Sequence, residues 1–128
     1  MGNRQQLCGG RGCTRRMAQF LDPTLLLLLK ESPAHGYTLL GRMAEFDLDF
    51  LDPAVIYRAL RKMEKQGWVT STWEEEETQG PPRRVYAITP AGEEVLDCCA
   101  RQLQTMQNVI RRFRGFYSTT DAPIADNP

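Results

Sequence analysis

A strip of apolar residues near the C-terminus places the strongest constraint on the fold. Beginning at Leu96, apolar side chains recur at alternating steps of three and four residues as far as Tyr117. The strip consists of Leu96, Cys99, Leu103, Met106, Ile110, Phe113 and Tyr117. This heptad spacing predicts one long helix with an apolar seam along one side. Because no other segment is long enough to cover the seam, we predict that it packs against the same helix of a second subunit. The alternative is a helix that covers its own domain.

Three helix starts share one pattern, a capping residue followed by proline. An Asp or Thr side chain accepts a hydrogen bond from the first turn, and proline suits the first helical position, where no N–H is needed. The three pairs are Asp22-Pro23, Asp52-Pro53 and Thr89-Pro90. At 128 residues the chain has room for one domain with appendages. We predict a flexible arm over residues 1–14, a compact domain over 15–90, a dimerisation helix over 90–117 and a disordered tail over 118–128.

Residues 52–67 have the signals of a complete amphipathic helix, with Gly67 as its stop. Its apolar residues recur at helical spacing: Ala54, Ile56, Ala59, Leu60 and Met63. Its remaining surface is polar and mostly basic: Tyr57, Arg58, Arg61, Lys62 and Lys65. A helix with one docking face and one basic face suits DNA recognition, and the alternative is an ordinary solvated surface helix.

The two segments before this basic helix also have helical patterns. Residues 25–29 are five consecutive leucines, which leave no polar face and predict a buried central helix over residues 24–30. Residues 35–45 predict a second helix, and an acidic turn at 46–51 joins it to the basic helix. Two helices joined by a short turn, the second of them basic, are typical of a helix-turn-helix.

After Gly67 the sequence changes to a pattern typical of β-strands. Residues 68–73 and 84–88 are rich in aromatic and β-branched residues, and a polar loop with glutamates at 74–77 separates them. We predict an antiparallel hairpin, the wing of a winged helix, with Trp68 and Trp73 packing on it. The predicted fold class is therefore α+β and mostly α, a winged helix-turn-helix domain with a long C-terminal dimerisation helix.

The charge balance excludes a uniformly basic nucleic-acid-binding protein. Lys+Arg and Asp+Glu both number 16, so any DNA binding must come from local charge. Residues 1–16 carry four arginines and no acidic residue, whereas positions 74–77 are all glutamate. The N-terminus does not resemble a signal peptide, and the leucine run is too short to span a bilayer. We therefore expect a cytoplasmic protein that does not enter a membrane.

The four cysteines and the single histidine do not form a catalytic or metal-binding motif. Cys8 and Cys13 lie in the arginine-rich arm, and Cys98 and Cys99 point about 100° apart on a helix. A zinc or redox sensor built from Cys8, Cys13 and Cys98 competes with simple free thiols, and no paired CxxC motif supports it. With one histidine and no phosphate-binding glycine loop, we predict no enzymatic activity and no cofactor.

Four segments in this order and spacing resemble the PadR family of winged helix-turn-helix transcriptional regulators. They are HGYTLLGRM, IYRALRKMEKQGWV, GPPRRVYAIT and TPAGEEVL, and the resemblance covers roughly residues 25–103. It implies a homodimer whose long helices pack across the two-fold axis and whose recognition helices enter successive major grooves of a pseudo-palindromic operator. Family members are mostly repressors released by small phenolic or drug-like effectors. A cleft lined by Met106, Phe113 or Phe116 could accept such an aromatic molecule.

The resemblance also assigns residue roles. Tyr37 corresponds to the tyrosine that helps to position the second helix, and Tyr57 to a phosphate contact of the recognition helix. Arg58, Arg61 and Lys62 are outward positions that could meet phosphate or a guanine edge, and Arg83 and Arg84 form the basic pair of the wing.

Two features depart from the family pattern. The family commonly has small hydroxyl residues or glycine where Asp52 stands, and Asp52 would repel a phosphate. The wing loop is also acidic. Together with the neutral net charge, these departures keep open the alternative of a winged-helix interaction module that has lost DNA binding and docks a protein through its acidic surfaces. The cysteines of the arm leave a further alternative, a thiol- or metal-responsive regulator that uses Cys8 and Cys13.

Overall fold

The structure, a computed structural model, describes residues 19–74 and 83–120. Within these residues the elements are α1 (Leu21–Glu31), β1 (Ala34–His35), α2 (Gly36–Gly41), a 3-10 helix (Met43–Phe46), α3 (Pro53–Lys65), β2 (Val69–Glu74), β3 (Arg83–Ile88) and α4 (Pro90–Thr120). Helices dominate, with one small antiparallel sheet, so the predicted winged helix-turn-helix fold with a long C-terminal helix is confirmed. The chain divides into two compact units, Met1–Leu96 and Asp97–Pro128. Residues 1–18, 75–82 and 121–128, which include the predicted arm, the wing loop and all but the first three residues of the predicted tail, lie outside the described residues.

The leucine-rich helix α1 is largely buried, but Leu27 is 41% exposed, so the prediction that the leucine run leaves no exposed side is wrong at this residue. The start of the helix also differs from the prediction. Leu25, Leu26, Leu28 and Leu29 are at most 2% exposed. The predicted cap at Asp22 is wrong, because the helix begins at Leu21 after Phe20 and places Asp22 in its first turn. Leu21 is buried in the core, so the helix includes Leu21 and Asp22 before Pro23. The Thr24 hydroxyl donates a hydrogen bond to the carbonyl of Phe20 at 2.8 Å.

The second helix is shorter than predicted. It ends at Gly41, and a 3-10 helix follows instead of a continuous helix to Glu45. Asp47 then adopts a left-handed conformation with φ 59°, which lets the Leu48 amide donate to the Met43 carbonyl at 3.0 Å. This turn buries Leu48 to 1% exposure, although Leu48 stands between Asp47 and Asp49 in the sequence. The sequence did not predict that burial.

Both predicted ends of α3 are confirmed. Asp52 caps the helix by accepting a hydrogen bond from the Ala54 amide at 3.3 Å, and Pro53 takes the first position. At the other end Gly67 has φ 83°, the Trp68 amide donates to the Met63 carbonyl at 2.9 Å and the Gly67 amide to the Glu64 carbonyl at 3.0 Å. This pair of bonds is the Schellman motif, which favours glycine because of its positive φ.

The apolar side of α3 is made of partly different residues from those that the sequence indicated. Ile56, Leu60 and Met63 are at most 1% exposed and join the core formed with α1 and α2. Ala59 is half-buried, whereas Ala54 is exposed, so its assignment to the docking face is wrong. Val55 and Tyr57 are partly buried and pack against the same core, so the docking face includes two residues that the sequence did not assign to it.

The sheet contains the predicted hairpin and one additional strand. β2 and β3 pair antiparallel from Val69 opposite Ile88 to Glu74 opposite Arg83. The two-residue strand β1 adds to the other edge of β3, giving the order β1-β3-β2. A strand this short has no detectable sequence period, so the sequence did not predict it. The imidazole Nε2 of His35 lies 2.5 Å from a carboxylate oxygen of Glu74, linking the two outer strands.

The start of α4 is attached to the loop that ends α3. The Thr89 hydroxyl accepts a hydrogen bond from the Gly92 amide at 3.0 Å, which confirms the predicted cap, and donates to the Gly67 carbonyl at 2.6 Å. The Thr89 amide also donates to the Trp68 carbonyl at 3.0 Å. The helix continues to Thr120, three residues beyond the predicted end. No helix among the described residues is both long and apolar enough to cross a membrane.

Candidate nucleic-acid interface

The neighbours of α3 determine which of its sides faces solvent. On one side the Lys62 ammonium lies 3.5 Å from the Asp22 carboxylate of α1. On another side the Glu64 carboxylate accepts a hydrogen bond from the Ser71 hydroxyl of β2 at 2.8 Å. Because successive helical residues are about 100° apart, the remaining arc is centred between these two sides and opposite the core. We call it the outward arc of α3, and its members are Ala54, Arg58, Arg61 and Lys65, all exposed.

The outward arc carries three positive charges. Arg58, Arg61 and Lys65 follow one another at steps of three and four residues, so they line one stripe. The sequence assigned Arg58 and Arg61 to DNA contact but omitted Lys65, although its position seven residues after Arg58 places it on the same stripe. Such a stripe can meet a line of phosphates and reach base edges between them.

Lys62 differs from the other basic residues of α3. Its ammonium already faces the Asp22 carboxylate, and the side chain is 57% exposed. An ion pair this exposed contributes less than about 1 kcal/mol, so it can exchange its carboxylate partner for a phosphate. Lys62 therefore lies at the edge of the outward arc rather than at its centre.

The two tyrosines assigned by the resemblance have different surroundings. Tyr37 is 73% exposed, so its ring does not pack into the domain. Tyr57 is half-buried, and its ring lies where a side chain at Gly36 would be, 2.5 Å from an ideal Cβ. The contact at the start of α2 is thus made by Tyr57, and any side chain at position 36 would force the Tyr57 ring to shift.

Acidic and aromatic residues surround the N-terminus of α3. Phe46 and Phe50 are 36% and 46% exposed, and the acidic residues around them are also exposed: Glu45, Asp47, Asp49 and Asp52. Arg42 bonds to Glu45 at 2.9 Å and to Glu31 at 3.1 Å. The hydrogen bond from Arg42 lowers the pKa of Glu45, and the same contacts raise the pKa of Arg42. From here on, the acidic turn includes one more residue at each end than the predicted turn and runs from Glu45 to Asp52. It places negative charge at the N-terminus of α3, next to the positive outward arc.

The wing arginines also differ from each other. Arg83 is exposed at the end of β3, directly opposite Glu74. The guanidinium of Arg84 lies 4.5 Å from the centre of the Trp73 ring and donates to the Ser71 hydroxyl at 2.6 Å. Next to this pair Tyr86 is 5% exposed, and burial raises the pKa of its hydroxyl. The structure therefore separates the two arginines that the sequence treated as one pair.

The seam of α4 becomes more exposed along the helix. Leu96 is 8% exposed and Cys99, Leu103 and Met106 are half-buried. Further on, large apolar side chains are at least half exposed in the single chain: Val109, Ile110, Phe113, Phe116 and Tyr117. The rings of Phe113 and Tyr117 stack with centroids 6.3 Å apart. Val109 and Phe116 extend the exposed apolar surface beyond the predicted seam.

The candidate metal ligands are not brought together in the described part of the chain. Cys98 is exposed on α4, whereas Cys8 and Cys13 lie outside the described residues. Within residues 19–74 and 83–120, no three His, Cys, Asp or Glu side chains cluster as a metal site requires. The metal hypothesis gains no support from these residues.

Comparison with known families identifies the chain. The model of the family described as "Transcriptional regulator PadR-like family" matches residues 25–98, which include α2, the 3-10 helix, α3 and the hairpin. The chain belongs to the PadR-like family. The resemblance recognised in the sequence is thereby confirmed, and the family is one of transcriptional regulators.

Solved structures share the fold of this PadR-like chain. A conserved protein of unknown function, described as a potential transcriptional factor, is 35% identical, with 88% of this chain and 96% of that chain covered and a TM-score of 0.68. A candidate transcriptional regulator from Thermoplasma acidophilum is 30% identical, with coverages of 79% and 96% and a TM-score of 0.68. A PadR family transcription regulator from Clostridium difficile R20291 is 23% identical, with coverages of 73% and 97% and a TM-score of 0.66, and shows the fold alone. No match was found among curated proteins.

Proposed function

We propose that this PadR-like protein is a sequence-specific DNA-binding repressor that acts in the cytoplasm. The observation that carries the proposal is the outward arc of α3, where Arg58, Arg61 and Lys65 are exposed on one stripe. In a helix-turn-helix the second helix lies in the major groove, where basic side chains meet phosphates and guanine edges. Tyr37, Tyr57, Lys62 and Arg83 are further candidate contacts, proposed from the resemblance to the family.

The proposed active form is a homodimer. The exposed apolar side chains of α4, from Val109 to Tyr117, support it, because soluble monomers rarely leave such a continuous apolar strip uncovered. If the α4 helices of two subunits pack across a two-fold axis, the dimer would present two recognition helices to DNA. Half-sites would then lie about 34–36 Å apart, one turn of the duplex. The operator is therefore expected to be pseudo-palindromic.

The proposal includes release from DNA by a small aromatic molecule. The exposed rings of Phe113 and Phe116 support it, because flat apolar ligands stack on such rings. A ligand that binds at α4 of the dimer changes DNA affinity only if it favours one spacing of the two recognition helices over another. Repression and its release are thus two states of one dimer.

The salt dependence of DNA binding tests this function. Replacing Arg58 with alanine is expected to weaken binding to DNA from upstream of the protein's own gene, and to flatten the slope of log K against log salt by about one unit. The matched control is Lys30→Ala, which removes the same charge from the exposed end of α1. If the Arg58 and Lys30 variants behave alike, α3 is not the contact, and if the unaltered chain binds no upstream DNA at low salt, the function itself is refuted.

A second candidate function is the docking of a basic protein partner. The acidic turn favours it, because two phenylalanines are exposed there among four carboxylates. Aromatic side chains surrounded by charge are common in protein interfaces. The same titration separates the two functions, since a protein-docking module would bind no upstream DNA at low salt.

Asp52 gives a prediction of its own. Replacing it with asparagine is expected to strengthen DNA binding about three- to tenfold at low salt, because a negative charge beside the phosphates is removed. Stability should stay within about 0.5 kcal/mol, since asparagine caps a helix as well as aspartate does. Asp52→Ala removes charge and cap together and should cost about 1 kcal/mol in the free energy of unfolding. DNA titrations and urea unfolding measure both effects, and weaker binding by the asparagine variant would instead indicate a base contact made by the carboxylate.

A further inference from the structure

We propose that Arg84 is a positioning residue that holds the wing against the recognition helix, and that it is not one of the wing's phosphate contacts. The proposal rests on the proposed DNA-binding function. It revises the role that the basic pair Arg83 and Arg84 has by resemblance. The grounds are a continuous set of contacts that runs from α3 through β2 to β3.

Three side chains form this connection. The Ser71 hydroxyl donates to the Glu64 carboxylate of α3 at 2.8 Å and accepts a hydrogen bond from the Arg84 guanidinium at 2.6 Å. The Ser71 hydroxyl thus uses both its donor and an acceptor position, and it links the Glu64 carboxylate of α3 to the Arg84 guanidinium of β3. We call Glu64, Ser71 and Arg84 the wing bridge.

A fourth side chain holds the guanidinium in place. The Arg84 guanidinium lies 4.5 Å from the centre of the Trp73 ring, directly across the β2–β3 ladder. A planar guanidinium that both stacks on a ring and donates an in-plane hydrogen bond has its position and its orientation defined. To reach a phosphate, Arg84 would have to leave both partners.

The strand register explains why only one arginine of the pair is engaged. Residues directly opposite in an antiparallel ladder share a face, and neighbours along a strand alternate between faces. Ser71 pairs with Tyr86 and Trp73 pairs with Arg84, so these four occupy the face that contacts α3 through Glu64. Arg83 is on the other face. Among the described residues its side chain makes no hydrogen bond or ion pair, so its charge is available to DNA.

The wing bridge gives DNA binding a rigid geometry. The base of the hairpin is already held by β1 and by Val69 and Tyr86 in the core, and the wing bridge adds a contact further along the two strands, at Trp73 and Arg84. With the bridge intact, the recognition helix and the wing meet the duplex as one body, and less conformational entropy is lost on binding. Without it, the outer part of the hairpin loses its contact with α3 and must be ordered when DNA binds.

Ser71→Ala distinguishes positioning from direct contact, because it leaves every charge in place. If Arg84 positions the wing, Ser71→Ala is expected to weaken binding to upstream DNA about three- to tenfold, with an unchanged salt slope. If Arg84 is instead a phosphate contact restrained by Ser71, the same change releases it, and binding becomes tighter. Ser71→Thr keeps the hydroxyl and should restore most of the affinity.

The two arginines are compared in the same assay. Arg83→Ala should flatten the salt slope by about one unit, whereas Arg84→Ala should weaken binding with little change in slope. Trp73 supplies a readout that needs no DNA. Arg84→Ala removes the guanidinium from the ring, and Ser71→Ala removes the hydrogen bond that holds it there, so quenching of tryptophan fluorescence by acrylamide should increase in both variants but not in Arg83→Ala. All variants are made in the full chain, and circular dichroism verifies that they fold.

The results distinguish a positioning role of Arg84 from a direct phosphate contact. A slope flattened by one unit in Arg84→Ala, tighter binding by Ser71→Ala, or unchanged affinity in Ser71→Ala would overturn the positioning role and leave the DNA-binding function intact. Unchanged tryptophan quenching in Arg84→Ala would show that the guanidinium does not cover the ring, which also overturns it. Failure of the unaltered chain to bind DNA overturns the proposed function, and the positioning role with it.

Discussion

Gly92→Ala is expected to lower the free energy of unfolding of the winged domain by about 3 kcal/mol or more. A Cβ at position 92 would lie 2.1 Å from the Trp68 carbonyl oxygen and 2.8 Å from a side-chain carbon of Ile88. Displacing this carbonyl costs free energy, because it accepts a hydrogen bond from the Thr89 amide at 3.0 Å and belongs to the loop that ends α3. The start of α4 must then shift away from that loop.

Thermal and denaturant unfolding measure this effect. For a domain of this size, about 3 kcal/mol corresponds to a midpoint lowered by roughly 10–20 °C. The matched control is Gly115→Ala in the same helix, where an added Cβ meets no atom within 4 Å. That change should be neutral or stabilise by up to about 1 kcal/mol, since alanine favours a helix more than glycine does. Equal effects of the two changes would contradict the close contact at Gly92.

Ile110→Asp is expected to convert the proposed dimer into a monomer. Ile110 lies in the middle of the seam and is 50% exposed in the single chain, so a carboxylate there costs little in the monomer. In a packed helix pair the same group would be buried without a partner, which costs about 3–5 kcal/mol at each position. The two copies of the substitution in a dimer act together. Sedimentation equilibrium measures the mass, and circular dichroism verifies that the helix remains.

Asn108→Asp is the control for this experiment. It adds the same charge two residues earlier, on the side of α4 away from the seam, where Asn108 is exposed. The dimer should persist in that variant. A dimeric Ile110→Asp protein would refute the assignment of the seam, whereas a monomeric unaltered chain would refute the homodimer itself.

Features encoded within a few residues were predictable from the sequence. The caps at Asp52 and Thr89 and the stop at Gly67 were predicted correctly, because each depends on one side chain or one backbone angle beside it. The hairpin was predicted within one residue at each end for a similar reason, since its two strands are separated by a recognisable loop. The PadR resemblance came from such local motifs taken together.

Features that depend on distant partners were missed. β1 forms because residues 34 and 35 pair with the edge of β3. Two residues are too few to show the alternating pattern that predicts a strand. Leu48 stands among acidic residues, and it is buried because the 3-10 helix and the turn at Asp47 direct it into the core. The cap at Asp22 was wrong since burial of Leu21 moved the start of α1.

In the candidate interface, too, local features were predictable from the sequence and tertiary contacts were not. The sequence alone determined that residues 53–65 form an amphipathic basic helix, because the 3.6-residue period sorts apolar from charged side chains whatever lies around the helix. Only the tertiary structure decided which charges are available. Contacts from α1 and β2 engage Lys62 and Glu64, the wing bridge engages Arg84, and Arg58, Arg61 and Lys65 remain exposed. Local periodicity is carried by the chain itself, whereas the partner of a charge is set by whichever element folding brings beside it.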